Sequence, residues 1–225
     1  MPASVRKEAS VYRIAAFDGL VWLEHGFGTR NTDGWPDMSR LAWLRQIHSD
    51  IVRIARQTAG CVGEGDALVT DTPGLLLAVR TADCLPILIA DERRRAVAAI
   101  HAGWRGTASG IARRTVEALC GNFGSQPEDL LVAIGPGIGA CCYEVGPEVA
   151  ERFRRLLPEL DRVRDDIRLD LVEANRRELI AAGVPAGRIS AVGLCTRCCS
   201  EEFHSHRREP WGRGRMWSVI GIRPA

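Results

Sequence analysis

The stretch LLLAVRTADCLPILIADERRRAVAAIHAGW, Leu75 to Trp104, decides how the chain is read. Aliphatic residues run almost unbroken from Leu75 to Ala90, which predicts strand structure buried on both faces rather than alternately wetted. Ala96 to Trp104 predicts a second apolar strand. The connection between them, Asp91-Glu92-Arg93-Arg94-Arg95, mixes both charges and reads as a solvated turn rather than a phosphate site. Cys84 stands at the start of one apolar run and His101 just after the next.

Upstream, Val11 to Trp22 reads as a strand and a turn. Glu24 to Asp37 (EHGFGTRNTDGWPD), rich in Gly, Asn, Asp and Pro, reads as a loop. Leu41 to Ala55 reads as strand with a break near Ser49-Asp50, and Cys61 to Gly74 as a short strand between two turns. Downstream, Ile111, Thr115, Leu119 and Phe123 lie four apart on one helical face, with Gly121 and Gly124 as stop signals. Leu130 onward predicts a buried strand, a glycine-rich loop, and a helix with Pro147 in its first turn. A further helix closes at Gly183, and a short strand, a loop and a terminal strand complete the chain. Strands and helices mix without a strict βαβ rhythm, which predicts a layered α+β fold. With no repeat or linker visible, residues 1–225 read as a single domain.

A net charge of +2, spread over both signs, offers no basic face for nucleic acid or a membrane surface. No apolar run reaches signal-peptide or membrane-span length, so the cytoplasm is the expected compartment. There the eight cysteines are expected to stay thiols, and metal binding or burial must explain them.

His48, Cys84 and His101 supply two imidazoles and a thiol from the ends of three apolar segments. Such a set suits zinc with one open position, or a cysteine nucleophile with its base. Their spacing forms no compact zinc motif, and alone it favours the plainer reading of two core histidines and a buried cysteine. Asp83 is placed to orient an imidazole or act as a base, unless it merely accepts hydrogen bonds in a turn. A rival metal set lies in Cys195, Cys198, Cys199, His204 and His206. The glycine-rich Ile134–Gly146 lacks the residues of a nucleotide-binding loop and reads as a wall-forming turn. Arg30, Arg207, Arg208 and Arg215 are candidate anion binders.

Several motifs stand in the order of one family. They are HGFGTR (His25–Arg30), RQIHSD (Arg45–Asp50), GDALVT (Gly65–Thr70), TADCLP (Thr81–Pro86) and IHAGWRGT (Ile100–Thr107). IGPGIGACCYEVG (Ile134–Gly146), LDL (Leu169–Leu171), CT (Cys195–Thr196) and SHRRE with GRM (Ser205–Glu209, Gly214–Met216) continue the series. Over nearly its whole length the chain resembles the YfiH-type laccase-domain, or polyphenol-oxidase-like, family. That resemblance implies a zinc site on His48, Cys84 and His101, with copper as the alternative ion. It implies phosphorolysis of adenosine, inosine and methylthioadenosine to base and ribose 1-phosphate, with adenosine deamination as a side activity; the chain is separately expected to be a monomer. It implies a fold similar to the catalytic domain of a cytotoxic deamidase that uses a Cys-His pair. Arg30 and Arg207 are the first candidates for phosphate, and Asp83 for the acid.

Three rival functions follow from the same motifs. A multicopper phenol oxidase needs about ten histidines, and the chain has five. A metal-free Cys84–His101 hydrolase and a cell-wall-editing role are the others. Family members usually carry a longer insert where this chain has only Asn31 to Leu44, so one wall of the pocket is expected to differ.

Overall fold

The computed structural model describes residues 5–56, 59–160 and 166–224; residues 1–4, at the start of the N-terminal segment that shows no apolar run of signal-peptide length, lie outside them. The chain runs β1 (Val5–Glu8), β2 (Val11–Ile14), β3 (Leu23–Gly28), β4 (Leu41–Arg45), β5 (Val52–Ile54), β6 (Gly60–Glu64) and β7 (Ala67–Thr70). It continues through β8 (Leu76–Thr81), β9 (Leu85–Asp91), β10 (Val97–Ala102), α1 (Trp104–Ala108) and α2 (Ile111–Phe123). β11 (Leu130–Ile134), α3 (Pro147–Glu151), α4 (Leu171–Ala181), β12 (Ile189–Ala191) and β13 (Met216–Ile222) follow.

Two mixed sheets result, one ordered β1-β2-β3-β13-β8-β4-β6 and the other β12-β11-β9-β10-β7-β5. The second sheet is the middle layer. Ile87, Ile89, Ala98 and Ile100 pack with Ile111, Val116 and Leu119 of α2 and Leu179 of α4. Their alternate neighbours Leu88, Ala90, Val97 and Ala99 pack with Leu77, Val79 and Ile220 of the first sheet. Burial on both faces is why β9 and β10 are apolar at nearly every position. The architecture is α+β, as the mixed pattern predicts.

The long apolar run is two strands, not one. β8 belongs to the first sheet and β9 to the second, and the chain crosses between them at Thr81-Ala82-Asp83-Cys84. Asp83 makes the corner with φ 83°, a left-handed conformation uncommon outside glycine. A second difference lies at β3, where the sequence reads as loop from Glu24. Its glycines serve close packing here: a Cβ on Gly26 would lie 2.5 Å from Val11 Cγ1 and 3.0 Å from the Trp35 ring. Cys61 to Glu64, also read as turn, pairs with β4. Of the two glycines read as stops, Gly124 ends α2 at φ 68° while Gly121 lies within the helix, and at the start of α4 Asp170 Oδ1 accepts the Glu173 amide at 2.9 Å. Among the described residues no helix is long and apolar enough to cross a membrane.

His25, on β3, is buried edge-on against Phe17 at 4.8 Å, and its Nε2 accepts the Ile14 amide at 3.1 Å. Burial, reinforced by Arg13, Arg6 and Arg223, lowers its pKa to about 4. The folded state therefore resists a proton that the unfolded state takes up near pH 6.5. Stability from this group is full above about pH 6.5 and is lost as pH falls toward about 4. From pH 7 to 5, wild type should lose about 2 kcal/mol more than His25→Gln in urea unfolding. Parallel losses in the two proteins would refute it.

Candidate metal centre

Three connections meet at one end of the two sheets. β4 and β5 are joined through His48, the corner before β9 carries Cys84, and β10 carries His101 on the same face as Val97 and Ala99. β9 and β10 are paired with His101 opposite Pro86 and Ala102 opposite Leu85, which fixes Cys84 beside the end of β10. One ligand atom from each of His48, Cys84 and His101 lies within 4.8 Å of the others. His48 Nε2 is 4.0 Å from Cys84 Sγ, and the two imidazoles meet edge to face at 4.8 Å.

This spacing fits a metal. Zn–N bonds of about 2.0 Å and a Zn–S bond of about 2.3 Å require donors roughly 3.5 Å apart, within a small side-chain adjustment of those seen. His101 is buried, Cys84 half-buried and His48 exposed, so the centre opens on the His48 side. Gly103 keeps it clear: a Cβ there would lie 2.9 Å from Cys84 Sγ and 3.1 Å from His48 Cδ2.

Asp66, which sequence reasoning left without a role, organises the centre. The fully buried carboxylate accepts a hydrogen bond from His101 Nδ1–H at 2.8 Å, leaving Nε2 to face the thiol. It also accepts the amides of Ile47 (3.3 Å), His48 (3.0 Å) and Ser49 (2.5 Å), and the Ser49 hydroxyl (2.7 Å). That wrap holds His48 at φ 58°. The outcome is a carboxylate–histidine pair of the kind that fixes ring orientation at metal sites.

The charges follow from these contacts. Burial works to raise the Asp66 carboxyl, but His101 and Ser49 overcome it and bring the pKa down to about 2. Burial likewise opposes the Cys84 thiolate, yet hydrogen bonds from His101 and His48 bring it to about 6. For His101 burial opposes the charge, and Asp66 and Cys84 carry the ring up to about 9. These contacts favour the thiolate of Cys84 and the protonated form of His101, so metal binding must displace a proton from the pair.

The remaining candidates fall elsewhere. Asp83 is engaged away from the imidazoles: Oδ1 accepts the Thr196 hydroxyl and Oδ2 the Arg207 amide, both at 2.6 Å. Arg30 donates to the Ser200 carbonyl at 2.9 Å. Arg207 donates to the Glu144 carbonyl at 2.9 Å and lies over Tyr143. Arg208 is spent on the carbonyls of Thr196, Arg197 and Phe203. In front of the centre is a cleft of about 790 Å³ whose arginines are Arg45, Arg80, Arg213 and Arg215. His206 and Trp211 also line it, and Trp211 is 96 % exposed. Among the candidate arginines only Arg215 reaches the cleft.

The glycine-rich loop is a wall, as its sequence suggests. Gly135, Ile138 and Gly139 give their amides to Pro86 O, Asp83 O and Cys195 Sγ. A Cβ on Gly135 would strike the Phe27 ring at 2.3 Å. The rival cysteine–histidine set does not assemble as written. Cys195 and Cys198 meet Cys141 and Cys142 instead, His206 lines the cleft, and His204 packs on Gly214.

Comparison with known proteins gives consistent matches. The family model described as multi-copper polyphenol oxidoreductase laccase matches residues 31–223. A Deinococcus radiodurans protein named purine nucleoside phosphorylase is 46% identical over 183 residues, covering 80% of this chain and 70% of its own. A protein from an unknown prokaryotic organism, named adenosine deaminase RL5, is 38% identical over 200 residues, covering 82% and 76%. The crystal structure of YlmD from Geobacillus stearothermophilus superposes with a TM-score of 0.87 at 31% identity, over 99% of this chain and 100% of that one.

Proposed function

The chain belongs to the multi-copper polyphenol oxidoreductase laccase family, and from that premise we propose that it is a zinc-dependent purine nucleoside phosphorylase. On this reading it converts adenosine, inosine and methylthioadenosine to base and ribose 1-phosphate, and deaminates adenosine as a side activity. The observation that carries it is an open three-donor centre on the floor of an arginine-lined cleft. The names of the relatives, a phosphorylase and an adenosine deaminase, support the substrate class.

His48, Cys84 and His101 would hold the ion, and zinc suits them better than copper. Two imidazoles and a thiolate also make up a blue-copper set, but that set takes a weak axial Met, Gln or backbone oxygen. The sulfur of Met216 is instead occupied by the His204 amide at 3.1 Å, and the side chain of Gln46, which lines the cleft, is occupied by the Arg80 backbone. Zinc held there supplies a Lewis acid at an open position. Among the cleft arginines, Arg80 and Arg213 take over the phosphate role expected of Arg30 and Arg207, since Arg45 is ion-paired with Glu64 and Arg215 donates to the Gly212 and Gly214 carbonyls. Their charge gathers the anion and holds it below C1′ of the ribose. As the C1′–N bond breaks, its electron pair passes to the purine, which takes up the proton carried by hydrogen phosphate, while a phosphate oxygen bonds to C1′; the ribose passes through oxocarbenium character that the adjacent anion stabilises. Trp211 offers an exposed ring on which a purine stacks. Asp83 serves by position, tying the Cys84 corner to Thr196 and Arg207.

We also take residues 1–225 as one domain, because the two sheets share a core, and the centre as complete within one chain, which needs no second copy to supply a ligand. The test is incubation with adenosine and inosine, with and without phosphate. Free base and ribose 1-phosphate should form only with phosphate, and adenosine should also yield inosine. No base in either case removes the proposal. One observation favours a second reading. Cys84 Sγ lies against His48 and His101, contacts that lower the thiol and raise the imidazole of His101, and this is the equipment of a metal-free Cys-His hydrolase, the deamidase-like alternative. Zinc analysis of protein purified without chelator separates the two.

A further inference from the structure

We propose that Cys141, Cys142, Cys195 and Cys198 form a second zinc site, structural and closed, apart from the centre in the cleft. Their four sulfurs lie within 4.8 Å of one another. Cys198 Sγ is 3.7 Å from Cys141 Sγ and 3.4 Å from Cys142 Sγ. A tetrahedron with Zn–S bonds of about 2.3 Å has S···S edges of about 3.8 Å, so the four thiols already approximate its corners.

Other uses of four cysteines fit less well. A disulfide needs sulfurs about 2.05 Å apart, and these are non-bonded neighbours. An iron–sulfur cluster keeps its thiolates outside a core of several atoms, which demands more room than this group leaves. Soft thiolates select zinc or copper(I), and four of them leave no open position for catalysis.

The local chain is shaped for the ion. Cys195-Thr-Arg-Cys198 is a C-x-x-C turn, the usual half of a zinc site. The Gly139 amide donates to Cys195 Sγ at 3.3 Å, and the amides of Arg197 and Cys198 also point at it. Such donors steady a sulfur that carries charge. Cys141 and Cys198 are exposed, so an ion can enter.

The site would join two segments 57 residues apart. One belongs to the glycine-rich wall, whose Ile138 amide donates to the Asp83 carbonyl at 2.8 Å. The other carries Thr196, which holds the Asp83 carboxylate at 2.6 Å. Zinc here would clamp both walls of the corner that presents Cys84, without touching substrate.

The test counts zinc in the full-length protein purified without chelator. Wild type should carry two per chain, with one each in Cys84→Ala and Cys198→Ser. Should Cys198→Ser fail to fold, cobalt(II) loading of wild type and Cys84→Ala decides. Both should show the intense thiolate charge-transfer bands of a tetrathiolate site. Unchanged zinc in Cys198→Ser, cobalt spectra without the tetrathiolate bands, or a Cys142–Cys198 disulfide in protein kept under reductant would each overturn the proposal.

Discussion

Cys84→Ala is expected to lower the zinc content by one equivalent per chain and kcat/KM for phosphorolysis by at least about a thousandfold, or about 4 kcal/mol of transition-state stabilisation. The size follows from how little the centre holds in reserve. Three donors come from three separate connections, and two imidazoles alone rarely retain zinc against water. Alanine leaves nothing to replace the thiolate, since Gly103 opposite has no side chain to move in. The loss also reaches His101. Its raised pKa depends on Asp66 and on the Cys84 thiolate, so removing sulfur strips the ring of one of two partners that favour its charge. Folding should survive, because Cys84 is only half-buried and the corner is secured through Asp83. A thermal midpoint within a few degrees of the wild type, measured with both proteins metal-free, would show that the lost turnover is chemical. Full phosphorolysis by this variant would refute the zinc reading outright.

The fold was legible where burial writes a simple pattern. β9 and β10 announce themselves because both faces are covered, and α2 because one face is. The corner at Asp83 was hidden because no glycine or proline marks it. An aspartate takes the left-handed conformation there, stabilised by partners more than a hundred residues away. β3 was hidden for the opposite reason, since its glycines signal turns in sequence but close approach in the folded sheet. The three donors could be named from resemblance but not from spacing, because the sheets rather than the local chain bring them together. Half of the cysteine group was visible in Cys195 and Cys198; its other half lay beyond any local motif. Asp66 left one faint mark, an acid set directly before the wholly buried strand Ala67–Thr70.

That acid carries the other large effect. Asp66→Asn keeps the shape of the side chain but replaces one accepting oxygen with an NH2 group. In wild type, Oδ1 serves His101 Nδ1 and the His48 amide, while Oδ2 serves the amides of Ile47 and Ser49 and the Ser49 hydroxyl. Whichever way the asparagine turns, an NH2 faces at least two backbone or ring donors in a fully buried place. Each donor left without an acceptor costs about 1–3 kcal/mol, and breaking a buried charged pair costs about 3–5 kcal/mol. A loss of about 4 kcal/mol should lower Tm by roughly 8–16 °C in a chain of this size. The metal responds through a different route. Without the carboxylate, His101 loses the partner that fixes its Nδ1–H tautomer, and His48 loses the wrap that holds its left-handed backbone. Zinc affinity at the centre should fall 10- to 100-fold, the usual range for removing the group behind a ligating histidine. Asp66→Asn with wild-type Tm and zinc affinity would mean that His101 is oriented by packing alone, and that the buried carboxylate serves neither the fold nor the centre.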